Sequence, residues 1–252
     1  MKQLLLLPLL FITVISFGQV PNYVPTDSLV GYWGFNGNAN DESGNSNDGT
    51  VNGATLTTDR FGNTNSAYDF DGLDDYISVN DANNLDGVDE FTLSVWVNFD
   101  NVSLGSGSQN LYPIVSKWAF TGNDPNSSFI LYLGSSSIVS SIDCSLNNAN
   151  YGLYNTTYSN NLITNNWYHL VASNNIFGLK LYLNGIVVDS TIIVNEGIAD
   201  NNTALLFGDW YNQINSSYST LDGKLDDIGI WNRELDSCEV KDLYNASLVN
   251  CC

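Results

Sequence analysis

Basic residues are scarce in this sequence, histidine is nearly absent, and only one run is apolar enough to concern a membrane. Each shortage removes a class of function. Seven Lys and Arg stand against 27 Asp and Glu, a formal net charge of −20. Phosphate contacts need Lys and Arg, so nucleic acid is excluded as a partner. An anionic membrane surface is disfavoured for the same reason. The sole histidine, His169, lies in WYHLVAS beside Trp167 and Tyr168, the setting of a packed strand residue rather than of a catalyst. With one His and no Gly-x-Ser-x-Gly turn, a serine triad has no support. The only long apolar run, Leu4–Ile15, is broken by Pro8 and Thr13, and no later segment is long enough to span a bilayer.

That first run is read as an address rather than as structure. Lys2 supplies a positive start, and Ser16-Phe17-Gly18 puts small residues at the −3 and −1 positions of a cleavage site. Residues 1–18 are therefore expected to be a signal peptide, cut after Gly18, with the protein secreted or held at the cell surface. Loss of Lys2 makes the mature chain one charge more acidic still. Such acidity suits solubility and divalent cations.

There are four cysteines, at positions 144, 238, 251 and 252. In an exported protein they allow two disulfides in three connectivities. A bond between the adjacent Cys251 and Cys252 is sterically poor. At least one of them is expected to reach back to Cys238, with Cys238–Cys251 as the pairing taken. A free or intermolecular thiol at the C-terminus is the alternative. Better read as disulfide partners, these cysteines leave little case for a thiol nucleophile.

What is abundant is β pattern. LVGYWGF, AYDF, DYISV, FTLSVWVNF, YPIVSKW, FILYLG, SIVSSID, WYHLVAS, LKLYLNG, IVVDSTII, ALLFGD and KLDDIGIW follow one another, separated by Gly, Asn, Asp and Ser clusters. In FTLSVWVNF the alternation puts Phe91, Leu93, Val95, Val97 and Phe99 on one face and Thr92, Ser94, Trp96 and Asn98 on the other. Asn184-Gly185 between two strands predicts a tight primed hairpin. One helix stands out, in LDSCEVKDLYNAS. Asp236 is placed as N-cap with Glu239 three residues on, Leu235 and Val240 occupy the staple positions, and Val240, Leu243 and Tyr244 share a face. This helix is expected at the sandwich edge. About a dozen short strands predict an all-β fold, a two-sheet antiparallel jelly-roll β-sandwich with one short C-terminal helix. The domain is placed at residues 27–247, with a Cys-containing tail at 248–252.

Three segments, LVGYWGFNGNANDESGNSNDGTVNGA, AYDFDGLDDYISV and KLDDIGIWNRELDSCEVKDLYN, carry a family likeness. With FTLSVWVNF and NWYHLVASNNIFGLKLYLNG between them, they resemble the laminin-G-like jelly rolls of the concanavalin A-like superfamily. The resemblance covers roughly residues 29 to 245. It implies two curved sheets, often a bound calcium, and a binding role toward carbohydrate, cell surface or protein. Related laminarinase-type hydrolases carry acids alternating along one strand as Glu-x-Asp-x-x-Glu, a motif missing from these strands. The expectation is thus a binding module rather than an enzyme. A protein-binding adhesion module and a divergent glycoside hydrolase are the rival readings.

Two kinds of site are expected. Calcium takes six to eight oxygens, and the candidates are Asn36, Asp41 and Asn45 in FNGNANDESGNSNDG, Asp71 and Asp74 in DFDGLDD, and Asp226 and Asp227 in KLDD. Resemblance to a calcium-bound Asp in the hydrolases makes Asp226 the first choice, joined by Asn36, Asp41 and Asp71. Sugar rings stack on Trp and Tyr while Asn and Asp bind hydroxyls. YGLYNTTYSNN and GDWYNQINSSY are therefore read as recognition loops, with Trp118, Tyr151, Tyr154, Trp210 and Tyr211 as ligand-binding candidates for a glycan or a cell-surface protein. The Asn- and Asp-rich stretch from Phe35 to Gly49 is read as an ordered loop rather than a linker, because a strand runs directly into it and a β-like segment follows.

Overall fold

The computed structural model describes residues 19–86, 90–102, 111–118, 127–136, 139–147, 153–159, 162–192, 202–210 and 220–246. The expected signal peptide, Tyr151, Tyr211, Cys251 and the 248–252 tail lie outside them. In chain order the elements are β1 (Leu29–Trp33), β2 (Gly49–Asn52), β3 (Thr55–Thr57), β4 (Ala67–Asp71), β5 (Tyr76–Val79), a 3₁₀ turn (Asn83–Leu85), β6 (Phe91–Phe99), β7 (Leu111–Trp118), β8 (Ser127–Ser136), β9 (Val139–Asn147) and β10 (Leu153–Ser159). Then come β11 (Trp167–Asn175), β12 (Gly178–Leu183), β13 (Ile186–Ile192), β14 (Leu205–Phe207), β15 (Asp222–Trp231) and the helix α1 (Ser237–Asn245).

The strands form two antiparallel sheets, as the alternation predicts. One runs β13-β12-β11-β6-β15-β4-β3, with β1 also paired to β15, and the other runs β10-β9-β8-β7-β14-β5-β2. The first is called the front sheet below. Inward residues of both sheets meet in one core, including Leu93, Val95 and Val97 of β6, Ile114 of β7, Leu131 of β8, Phe207 of β14 and Ile228 of β15. Burying apolar surface at about 25 cal/mol per Å² drives this assembly.

The front sheet is covered on its outer face too, which explains why all nine residues of β6 are buried. A second apolar cluster joins Tyr32, Val171, Tyr182 and Trp231 of the sheet to Val24 of the N-terminal lead-in and to Leu235, Val240 and Leu243 of α1. The helix therefore lies across the sheet's outer face and not at the sandwich edge. Its start is as expected: Asp236 accepts from the Cys238 and Glu239 amides while Glu239 closes the capping box, and Leu235 and Val240 are fully buried. Ala246, in the left-handed region, ends it.

Two further details position the sites. Asn184 and Gly185 both take positive φ, 51° and 77°, and make the tight β12–β13 turn. LYNTTYS, expected as part of a recognition loop, is instead the strand β10, paired along its length with β9. β-branched Thr156 and Thr157 with flanking tyrosines favour a pleated strand over a loop. Tyr154 thus stands in a strand, its side chain outside the described set.

Candidate functional site

The outer face of the front sheet gathers the charged groups. Trp96 on β6 is the cross-strand neighbour of His169 on β11 and of Asp226 on β15. Just past Asp226 the β15 register shifts, and Asp227 takes a φ of 43°. Leu225 and Ile228 still face the core. The extra residue of this bulge keeps Asp226 and Asp227 both on the outer face, where strict alternation would turn one inward. Arg60, from the β3–β4 connection, forks between them, with Nη1 2.5 Å from Asp226 Oδ2 and Nη2 2.6 Å from Asp227 Oδ2. Its guanidinium carbon lies 4.6 Å from the Trp96 ring centre and 4.4 Å from that of Phe61. Only 6% of the Arg60 side chain and 3% of the Asp226 side chain are exposed. Removing one partner of a pair this buried costs roughly 3–5 kcal/mol.

Hydroxyls complete the cluster. Tyr32 donates to Asp227 Oδ1 at 2.6 Å, and Tyr23 donates to Oδ2 at 3.4 Å. Burial, then the charge of Asp227, raises the Tyr23 phenol to about 12 and holds that of Tyr32 well above its ordinary value. Burial also lifts the Asp226 carboxyl well above the carboxylate range; Asp227's charge adds to this and Arg60 opposes both. Next to it His169 is fully buried, with Nε2 2.9 Å from Ser94 Oγ and its ring packed on Trp96 and Tyr244. Burial, helped by Arg60, lowers His169 to about 3. A neutral imidazole sealed under a helix is a packed residue, as WYHLVAS predicted.

The opening loop is pinned rather than slack. Both oxygens of Asp41 are engaged: Oδ1 accepts from the Tyr32 and Ser43 amides at 3.0 and 2.8 Å, and Oδ2 from Ser43 Oγ and the Asn47 amide at 2.9 and 3.0 Å. Asn47 is buried; its amide group donates to Val30 O, and its carbonyl accepts from Trp33 Nε1. Phe35 and Ala39 are buried in the main core. Asn36 is exposed, and its side-chain amide bonds Glu42. Burial and then Asp227 raise the Glu42 carboxyl, so this loop and the Asp226–Asp227 bulge share one electrostatic neighbourhood.

Asp71, the fourth metal candidate, falls elsewhere. It sits at the β4–β5 turn with Asp74 and Asp75, and one ligand oxygen from each lies within 4.8 Å of the others. Asp75 is buried, accepts the Asp71 amide on Oδ2 at 3.0 Å, and places Oδ1 where a side chain on Gly53 would stand. Glu42 thus links Asn36 and Asp41 of the opening loop to the Asp226–Asp227 bulge, while Asp71 lies in a separate acidic turn.

Of the aromatic candidates, Trp118 ends β7 and is half-buried, whereas Trp210 is only 4% exposed. A sugar platform needs an open ring face, which Trp210 lacks. Among the described residues, an open concavity lies where the chain leads into α1. There a trough of about 460 Å³ is lined by Lys180, Tyr182, Val187, Ser190, Glu234 and Asp236. A second hollow of about 200 Å³ shares Lys180 and Ser190 with it and adds Asn175, Phe177 and Ile192. Glu234 holds both Lys180 Nζ, at 2.6 Å, and the Asn175 amide. Phe177 is 75% exposed. Sequence reading missed these residues and Arg60. Scarcity was the available signal for Arg60: with seven basic residues in the chain, each is a candidate partner for a buried acid.

Residues 70–241 match the laminin-G type 3 family model, described as the concanavalin A-like lectin/glucanases superfamily. The chain belongs to this family. No curated protein matches it in sequence. Among solved structures it is similar to the binding domain of botulinum neurotoxin serotype D (21% identity, TM-score 0.66, 88% of this chain and 51% of that one). It is similar also to the serotype D ligand-binding domain in complex with N-acetylneuraminic acid (23%, 0.66, 88% and 51%). A third is domain 4 of AbnA, an extracellular GH43 arabinanase from Geobacillus stearothermophilus, in complex with arabinotriose (18%, 0.60, 86% and 98%). The chain spans about half the length of the neurotoxin domains. These likenesses establish the jelly-roll fold.

Proposed function

We propose that this is an exported, non-catalytic carbohydrate-binding domain whose ligand lies in the trough beside the start of α1 and in the hollow that adjoins it through Lys180 and Ser190. The trough carries the reading. Its size falls within the roughly 300–1,000 Å³ of small-ligand sites, and it combines apolar surface with a few convergent polar groups. Val187 and Phe177 offer faces for sugar C–H groups, while Glu234, Asn175, Ser190 and Lys180 offer partners for hydroxyls. Sugar complexes of two structural neighbours are in keeping with this role. Lys180 is already matched by Glu234 and the chain carries −20, so the ligand is a neutral glycan rather than an acidic one. A panel of immobilised polysaccharides tests the reading. Retention on neutral glycans, weakened by Phe177→Ala, supports it; no retention across a wide panel contradicts it.

Calcium belongs to the same reading, at the Asp71–Asp74–Asp75 turn, where it would tie β4 to β5. Three carboxylates supply hard oxygens there, and backbone carbonyls and water would complete the shell. Binding to the folded state raises the melting temperature by mass action. Added Ca²⁺ should therefore raise it in the wild type and leave Asp74→Asn unmoved; no rise after thorough chelation and re-addition counts against the ion. The Cys238–Cys251 pairing would fasten the tail to the first turn of α1, and peptide mapping without reduction identifies it.

A further inference from the structure

We propose that Arg60 is the resident cation of the Asp226–Asp227 bulge, a built-in guanidinium standing where the family resemblance places a metal ion. The bulge aims two adjacent carboxylates at one side of the sheet, and a buried pair of acids demands a positive partner. Arg60 meets that demand with one nitrogen per carboxylate, at 2.5 and 2.6 Å, in the planar fork that only arginine offers. Trp96 and Phe61 flank the guanidinium and shield it from water. Tyr32 and Tyr23 donate to Asp227 and offset the charge that one arginine leaves uncompensated.

Calcium does not fit this arrangement. It needs six to eight free oxygens, and the carboxylate oxygens that converge here already bond Arg60. A divalent ion would also stand against a guanidinium that cannot lose its proton. Burial disfavours the arginine's charge, yet Asp227 and Asp226 outweigh burial and hold it protonated. The device fastens the β3–β4 connection to β15 across 166 residues of sequence, with Tyr23 of the lead-in and Tyr32 of β1 on the same carboxylate.

The test uses the full chain with Asp71→Asn and Asp74→Asn, which silences the other acidic turn. In that background Ca²⁺ should leave the melting temperature unchanged. Adding Arg60→Ala should lower it by about 10 °C, and methylguanidinium should restore part of the loss. The same variant should gain terbium luminescence sensitised by the adjacent Trp96, and Asp226→Asn should abolish it. Should Arg60→Ala not fold, Arg60→Lys keeps the charge without the fork and should melt between the two, while the calcium titration of the Arg60-intact chain stands by itself. An Arg60-intact chain stabilised by Ca²⁺ in an Asp226-dependent manner would overturn the proposal. So would an Arg60→Ala chain that melts like its parent.

Discussion

Asp41 shows how much a single side chain can organise. Four donors reach its two oxygens, three of them backbone amides, one from β1 and two from the following loop. Hydrogen bonds to a charged group contribute roughly 1.5–3 kcal/mol each, and less once water competes. Asp41→Ala should cost about 2–4 kcal/mol, and thermal melting should show a drop of several degrees, with Asp41→Asn closer to wild type. His169 makes a pH-dependent contribution. Its folded pKa, about 3, lies below the unfolded value near 6.5. The unfolded chain then binds more protons between those limits. The stability from keeping His169 neutral is fully present above pH 6.5 and is lost as pH falls toward 3, on the order of 4 kcal/mol in all. Urea unfolding from pH 7 to 4 should reveal the slope, and His169→Gln should remove that part of it.

Among the elements, those with local signals were legible in the sequence. Alternation alone separated the core face of β6 from its outer face, and Asn184-Gly185 located a hairpin by its need for positive φ. The α1 cap was legible because Asp236 and Glu239 act within one turn. Asp236→Ala should cost about 1 kcal/mol, and Leu243→Ala, which empties a place in the outer cluster, about 2–5 kcal/mol. Equilibrium denaturation measures both. What eluded sequence reading depends on contacts far apart in the chain. The place of α1 on the sheet face depends on Tyr32, Val171, Tyr182 and Trp231, which come from four strands. The bulge that turns Asp227 outward leaves no mark in KLDDIGIW, and the guanidinium that occupies both acids comes from DRFGN, a turn with no periodicity of its own. LYNTTYS was misjudged because its Asn and Ser content resembles a loop, while pairing with β9 decides its state.

At the scale of the molecule, the two sheets provide a frame, and the segment leading into α1, with β12 and β13, lines an open trough. The same helix seals His169 and raises the Glu234–Ser237 segment beside Lys180 and Tyr182. On the proposed reading, the wide excess of acids would disfavour phosphate and sialate ligands and favour neutral sugars. The stretch from Phe35 to Gly49, which by composition could pass for a linker, is part of the frame, with Phe35, Ala39 and Asn47 buried. The direct measurement is a calorimetric titration of a retained neutral oligosaccharide into the wild-type chain and into the Phe177→Ala/Glu234→Gln double variant. Saturable binding by the wild type, weakened at least about tenfold in the variant (roughly 1.4 kcal/mol) with its melting temperature kept within a few degrees, is the result predicted. Equal affinity in both chains would contradict the trough as the binding site.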